Sequence, residues 1–293
     1  MSIIHAVVTD LDGTIVDENG HISATTLLAA ACLAHRRIPL IIATARSPDW
    51  IIRRSDLVPW VTDAVCCDGG IGWSAKTNEI LWRETISQDL VERIVRSIKD
   101  TLPTAGIASY DGHHWKVTKT FLRHRPRPPG AVKIVAAENI ANEPVYTMWV
   151  SRPDGEAVEL PRDLSDLQPL LAVTELPYNL VGIGPTGFDK AVGLTRVFDD
   201  IGIDPAHAIA FGDMLNDLPV FALCGQSVAV ANAHPDVIMA ASIIAPCVHN
   251  DGFARTLCDL GVVSREFVLA DWNDPGCNCR FVPREPQGSP PSV

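Results

Sequence analysis

The chain has 293 residues, 47% of them hydrophobic and 20% charged, with a net charge of −11. Those values describe a folded globular chain with room for two domains and exclude a disordered one. The acidity argues against non-specific binding to nucleic acid or anionic membranes, and no apolar run approaches the ~20 residues of a membrane span, so a cytoplasmic protein is expected. The N-terminus enters a strand directly, without the basic and apolar regions of a secretory signal. The eight cysteines occur singly or as Cys66-Cys67 and Cys277-x-Cys279. In a chain this large they read as reduced thiols.

The pattern predicts a strand at His5–Thr9, then a helix at Ser23–His35 with Ser23 as N-cap and Leu27, Leu28, Ala31 and Cys32 on one face. A strand at Ile38–Ala43, a helix near Pro48–Asp56 and a strand near Asp63–Cys67 follow. Strand, helix, strand with short connections implies a parallel sheet covered on both faces. The rhythm returns with helices at Asp189–Ile201, Asp217–Cys224 and Asp236–Ala241 around strands at His207–Phe211 and Ser227–Val230. The expected fold is therefore α/β, a doubly wound and mostly parallel Rossmann-like sheet made from residues 1–70 and 185–264.

Between these halves, residues 71–184 read as an inserted α+β domain. It has a hairpin through Ile80–Trp82, an amphipathic helix at Gln88–Leu102, and strands near Gly106–Tyr110, Val145–Val150 and Leu180–Ile183. Glycines at both crossings (Gly69, Gly70 and Gly72; Gly182, Gly184 and Gly187) suggest a hinge. Residues 265–293 form a tail, with five prolines in 275–291, expected to be poorly ordered.

Chemistry concentrates where strands end. Asp10-x-Asp12-Gly-Thr14 closes the first strand, so two carboxylates emerge together: Asp10 could attack phosphorus and Asp12 could move a proton. Thr44 ends the second strand, where its hydroxyl and backbone N–H could grip the transferring group. Lys190 opens a helix and could neutralise that group and Asp10. The strand ending at Phe211 runs into Gly212-Asp213-x-x-Asn216-Asp217, a second acidic cluster. Phosphoryl transfer needs a nucleophile, a proton carrier, cations and positioning donors. Mg²⁺ would be the cofactor, with Asp10 and Asp213 as ligands and Asp217 behind them.

These motifs, in this order, resemble the haloacid dehalogenase-like phosphatase superfamily, and within it the Cof-type branch, subclass IIB. The resemblance runs over about residues 5–262, including Val230-Ala231-Asn232-Ala233 and Asn250-Asp251-Gly252 near its end. Only 30 residues separate Thr14 from Thr44, whereas 146 separate Thr44 from Lys190, as a large cap after the second motif requires. The resemblance implies a phosphoaspartyl intermediate on Asp10, Asp12 as acid and then base, and a Mg²⁺ site made by Asp10, the Asp12 carbonyl and Asp213. It implies phosphate contacts from Thr44, Lys190 and Asn216, and a small phosphorylated metabolite, most simply a sugar phosphate, as partner. Two departures from the family stand out: Ala45 replaces a glycine, and Asp68-Gly69-Gly70 replaces Asn-Gly-Ala. The added carboxylate at Asp68 would repel an anionic leaving group or favour a hydroxylated or cationic one.

Rival readings explain less. Gly182-x-Gly184-x-x-Gly187 fits a dinucleotide fingerprint and would make the chain an oxidoreductase, but leaves the aspartate clusters unaccounted for. A phosphomutase would use the same aspartate. No cysteine has an arginine six residues on, and no P-loop occurs. The basic run Lys116, Lys119, Arg123, Arg125, Arg127 and Lys133 reads as a solvated loop, with a site for a second anion as the alternative.

Overall fold

The computed structural model describes residues 4–124, 128, 130–153, 171–176 and 180–268. In chain order the elements are β1 (Ala6–Thr9), α1 (Ala24–His35), β2 (Leu40–Ala43), α2 (Pro48–Ile52), β3 (Asp63–Cys66), β4 (Ile71–Ser74) and β5 (Glu79–Arg83). Then come α3 (Gln88–Thr101), β6 (Gly106–Tyr110), β7 (Trp115–Val117), α4 (Lys119–His124), β8 (Val132–Ile134), β9 (Thr147–Ser151), β10 (Leu171–Leu176) and β11 (Leu180–Pro185). The chain closes with α5 (Lys190–Ile201), β12 (Ala208–Gly212), α6 (Leu218–Leu223), β13 (Gln226–Val230), α7 (Pro235–Ala240), β14 (Ile243–Ala245), α8 (Gly252–Asp259) and α9 (Arg265–Val268). The described residues form two compact units, 4–83 with 188–268, and those within 84–187.

The first unit is built on an eight-stranded sheet in the order β14-β13-β12-β1-β2-β3-β4-β5. Strands β14 to β3 are parallel, and β1, β2, β3 and β12 are buried throughout, as near-continuous apolar strands covered on both faces must be. Their parallel direction brings the carboxyl ends of β1, β2 and β12 to one edge. Ligands of open α/β sheets bind at such an edge.

Two expectations about this unit need correction. The hairpin β4–β5, read from sequence as part of the insert that starts at residue 71, pairs antiparallel with β3 and extends the large sheet. It covers an edge of β3 that would otherwise expose unpaired backbone groups. Gly69, Gly70 and Gly72 therefore lie inside this unit rather than at a crossing, and close approach accounts for two of them. A Cβ on Gly69 would sit 2.2 Å from the Asp189 carbonyl oxygen, and one on Gly72 would strike the Trp82 ring.

Helix α1 has its N-cap as expected, since Ser23 accepts from the Thr26 N–H at 3.0 Å. Its buried face is Thr26, Ala29, Ala30 and Leu33, not the expected one, and Leu28 is exposed. The helix is apolar all round, so periodicity cannot select a face.

The second unit carries a six-stranded sheet in the order β10-β11-β9-β6-β7-β8. Helix α3 is amphipathic as read, and its Val91, Ile94, Val95 and Ile98 bury against Ile107, Met148, Val150 and Ile183. Strand β11 is antiparallel to both neighbours, so Gly182 and Gly184 lie inside an antiparallel ladder. A dinucleotide fingerprint needs a turn after a parallel strand, and that reading falls. The basic run does not converge: Lys116 is buried against Glu143 at 2.8 Å, while Lys119, Arg123 and Lys133 face solvent. Arg125, Arg127, Cys277 and Cys279 lie outside the described residues, as does the tail beyond α9, whose four residues are helical rather than irregular.

Candidate active site

The first carboxylate stands one residue beyond β1. The Asp10 N–H still donates to the Phe211 carbonyl of β12 at 3.0 Å, which fixes its backbone against the neighbouring strand. The turn that follows is pinned from a distance, because Asn232 Nδ2 donates to the Gly13 carbonyl (2.7 Å) while its Oδ1 accepts from the Val248 N–H. Asn232 was only part of a closing motif in the sequence; no local signal announces that it braces this turn. Thr14 Oγ1 donates to Asp213 Oδ1 at 3.1 Å, tying the turn to the end of β12.

Lys190 is the first residue of α5, whose N-cap Asp189 accepts from the Val192 N–H. Its ammonium is buried and donates to Asp10 Oδ1 (3.0 Å) and Asp217 Oδ1 (2.7 Å). Burial alone would pull its pKa down, but Asp10, Asp217 and Asp68 together raise it, so it carries a fixed positive charge. Burial pushes the Asp10 carboxyl up to about 7, with Lys190 opposing and Asp217 and Asp12 adding to the rise.

One oxygen from each of Asp10, Asp213 and Asp217 lies within 4.8 Å of the others, and all three residues are buried. Three clustered carboxylates carry more negative charge than the single Lys190 ammonium can balance. Both oxygens of Asp217 are engaged, Oδ1 by Lys190 and Oδ2 by the N–H groups of Asp213 (2.9 Å) and Met214 (3.1 Å). Asp10 and Asp213 are therefore the direct ligand candidates, with Asp217 orienting them. An all-oxygen, anionic and buried donor set fits a hard divalent cation such as Mg²⁺.

The remaining predicted residues fall around this cluster with some surprises. Both Asp12 oxygens accept from Arg46, from Nε and one terminal nitrogen, each at 2.5 Å, so only its main-chain carbonyl could join a metal. From sequence Arg46 is open between a phosphate contact and the helix that follows; here its guanidinium, besides holding Asp12, lies 4.4 Å from the centre of the Trp50 ring in α2. The Thr44 N–H donates to the Val65 carbonyl at 2.8 Å and continues the sheet, which leaves the hydroxyl as its donor toward a ligand. Asn216 Nδ2 donates to Asp68 Oδ1 at 2.9 Å.

The chain is similar to known proteins over most of its length. Over 255 residues the chain is 23% identical to a phosphoglycolate phosphatase of Methanothrix thermoacetophila, covering 87% of this chain and 96% of that one. A 75-residue segment is 45% identical to a phosphoglycolate phosphatase of Halorubrum lacusprofundi, over 26% of this chain and 33% of that one. The alignments with the first two relatives span only a quarter to a third of those proteins. A solved subclass IIB sugar phosphatase shares the fold at a TM-score of 0.74 and 19% identity, over 88% of this chain and 99% of its own. Residues 7–257 match the haloacid dehalogenase-like hydrolases as a family, so the chain belongs to that family.

Proposed function

We propose that the chain is a Mg²⁺-dependent phosphatase that hydrolyses a phosphomonoester of a small cytosolic metabolite, a sugar phosphate, through a phosphoaspartyl intermediate on Asp10. The observation that carries this reading is the Lys190 ammonium held between Asp10 and Asp217, with Asp213 in the same buried cluster. Relatives described as phosphatases support it, as does the likeness to a subclass IIB sugar phosphatase. That likeness also favours the second unit as a substrate-selecting domain.

In this mechanism an Asp10 oxygen forms a bond to phosphorus as the ester oxygen leaves. Lys190 neutralises the Asp10 carboxylate beforehand and charge on the phosphoryl oxygens as they gather near it. The Thr44 hydroxyl donates to the transferring group. Asp12 gives its proton to the leaving oxygen, then takes one from the water that cleaves the aspartyl phosphate and frees Asp10. Asp10, Asp213 and the Asp12 carbonyl would hold Mg²⁺, which would supply the positive charge that lets the carboxylates and an anionic ester approach.

The test is a phosphate-release screen over sugar phosphates, nucleotides, polyol phosphates and pyridoxal phosphate, with Mg²⁺ and with EDTA. Mg²⁺-dependent release is expected, and no release from any ester would overturn the proposal. Conversion of a sugar phosphate to its isomer without free phosphate would show that a second sugar hydroxyl, not water, is the acceptor.

A further inference from the structure

The loop from β3 to β4 places a carboxylate beside this cluster that the reaction does not use. Cys67 and Asp68 both take left-handed backbone, at φ 51° and φ 50°, and Gly69 follows at φ 104°. Successive non-glycine residues in that region are costly and persist only where the surroundings enforce them. Here four hydrogen bonds do so: Cys67 N–H to the Arg46 carbonyl (3.0 Å), Asp68 N–H to the Thr44 carbonyl (3.1 Å), Gly70 N–H to the Cys67 carbonyl (3.1 Å) and Trp82 Nε1 to the Gly69 carbonyl (3.0 Å). Strain held this firmly aims one side chain.

That side chain is Asp68. When ionised it only accepts, so its bond from Asn216 Nδ2 fixes which way the amide points. The Asn216 carbonyl oxygen is left buried, with no hydrogen-bond partner. Lys190 feels the Asp68 charge but donates to Asp10 and Asp217 instead. Two acceptors thus stand together, and a buried acceptor without a donor calls for one from a ligand.

Building on the phosphatase reading above, we propose that Asp68 and Asn216 form an acceptor subsite that selects phosphate esters bearing a hydroxyl or ammonium group close to the ester oxygen. The pair disfavours esters with a carboxylate there. On this basis the chain separates from the phosphoglycolate phosphatases among its relatives by repelling the acid group that defines their substrate.

Three matched esters test this: glycerol 1-phosphate, which has the neighbouring hydroxyl, propyl phosphate, which lacks it, and 2-phosphoglycolate, which carries a carboxylate. With saturating Mg²⁺, kcat/KM for glycerol 1-phosphate is expected to exceed the other two by roughly tenfold or more, since a site built around a hydrogen bond rejects analogues that lack it. Asp68→Asn keeps the volume and tolerates the left-handed backbone, so it should fold; circular dichroism and Tm check that. It should shrink the glycerol-to-propyl ratio and the glycerol-to-phosphoglycolate ratio by about tenfold each. Equal kcat/KM for glycerol 1-phosphate and propyl phosphate in the parent protein, or ratios unmoved by Asp68→Asn, would overturn the subsite while leaving the phosphatase reading intact. Release from none of the three, nor from the wider screen, would instead remove the phosphatase reading.

Discussion

Arg46 grips Asp12 with two parallel hydrogen bonds of 2.5 Å, occupying both oxygens of the proposed proton carrier. In that pose the carboxyl is oriented but not available, so a productive complex has to loosen the pair. The guanidinium is itself held against Trp50, which limits where it can go. Arg46→Lys keeps the charge but loses the fork geometry. It is expected to lower kcat/KM, which reports the step that phosphorylates Asp10, about tenfold for alkyl phosphates, part of the ~10²–10⁴ that acid–base catalysis supplies, and to change kcat/KM for p-nitrophenyl phosphate much less. That leaving group departs without a proton. Equal losses on both esters would show that Arg46 acts on the phosphoryl group rather than through Asp12.

Asp10 gives the metal-free protein a distinct pH signature. Its carboxyl rises from an ordinary 3.8 to about 7 on folding, so between those values the folded state binds the extra proton. Stability then falls as pH rises from about 4 to about 7, and this contribution levels off above that range. Mg²⁺ favours the ionised form and should flatten the slope, with protons released on binding below pH 7. Thermal melts across pH, with Mg²⁺ and with EDTA, check this. A metal-free melting temperature that climbs with pH across the window would contradict it.

Lys190 is the counter-charge of two buried carboxylates, so its loss should register in stability as well as rate. Lys190→Met leaves Asp10 and Asp217 without their ammonium and is expected to cost about 3–5 kcal/mol, partly recovered by Mg²⁺. Phosphate release should fall to background. A variant as stable as the parent in EDTA would mean that the carboxylates do not depend on Lys190.

Gly69 tests the packing that presents Asp68. At φ 104°, with a Cβ only 2.2 Å from the Asp189 carbonyl oxygen, Gly69→Ala must shift either the loop or the start of α5. A destabilisation of about 2 kcal/mol or more is expected from chemical denaturation. Wild-type stability and activity together would show that this approach is not tight.

Much of the candidate site's placement was legible because its parts are local. Asp10, Thr44 and Asp213 follow apolar runs that can only be buried strands, and Lys190 follows an N-cap aspartate, so each position could be read within a few residues. Sequence could not show what joins distant segments. The Arg46–Asp12 pair spans 34 residues and the Asn232–Gly13 brace 219, with no periodicity to link them. Thr44 was credited with a free N–H because a strand end looks free in one dimension, whereas β3 reaches far enough to accept from it. The hairpin β4–β5 went to the wrong unit for a similar reason: its glycines resemble a crossing, but they serve close packing inside the first unit.

The most direct test of the account is to look for phosphate on Asp10. Asp12→Ala should still accept a phosphoryl group from an activated aryl ester but hydrolyse the intermediate slowly. Acid-quenched protein, digested and weighed by mass spectrometry, is then predicted to carry one phosphoryl group on the peptide containing Asp10, and none when Asp10→Asn is added or Mg²⁺ is withheld. Turnover of that ester by Asp12→Ala with no label on Asp10, or turnover retained by Asp10→Asn, would contradict the mechanism.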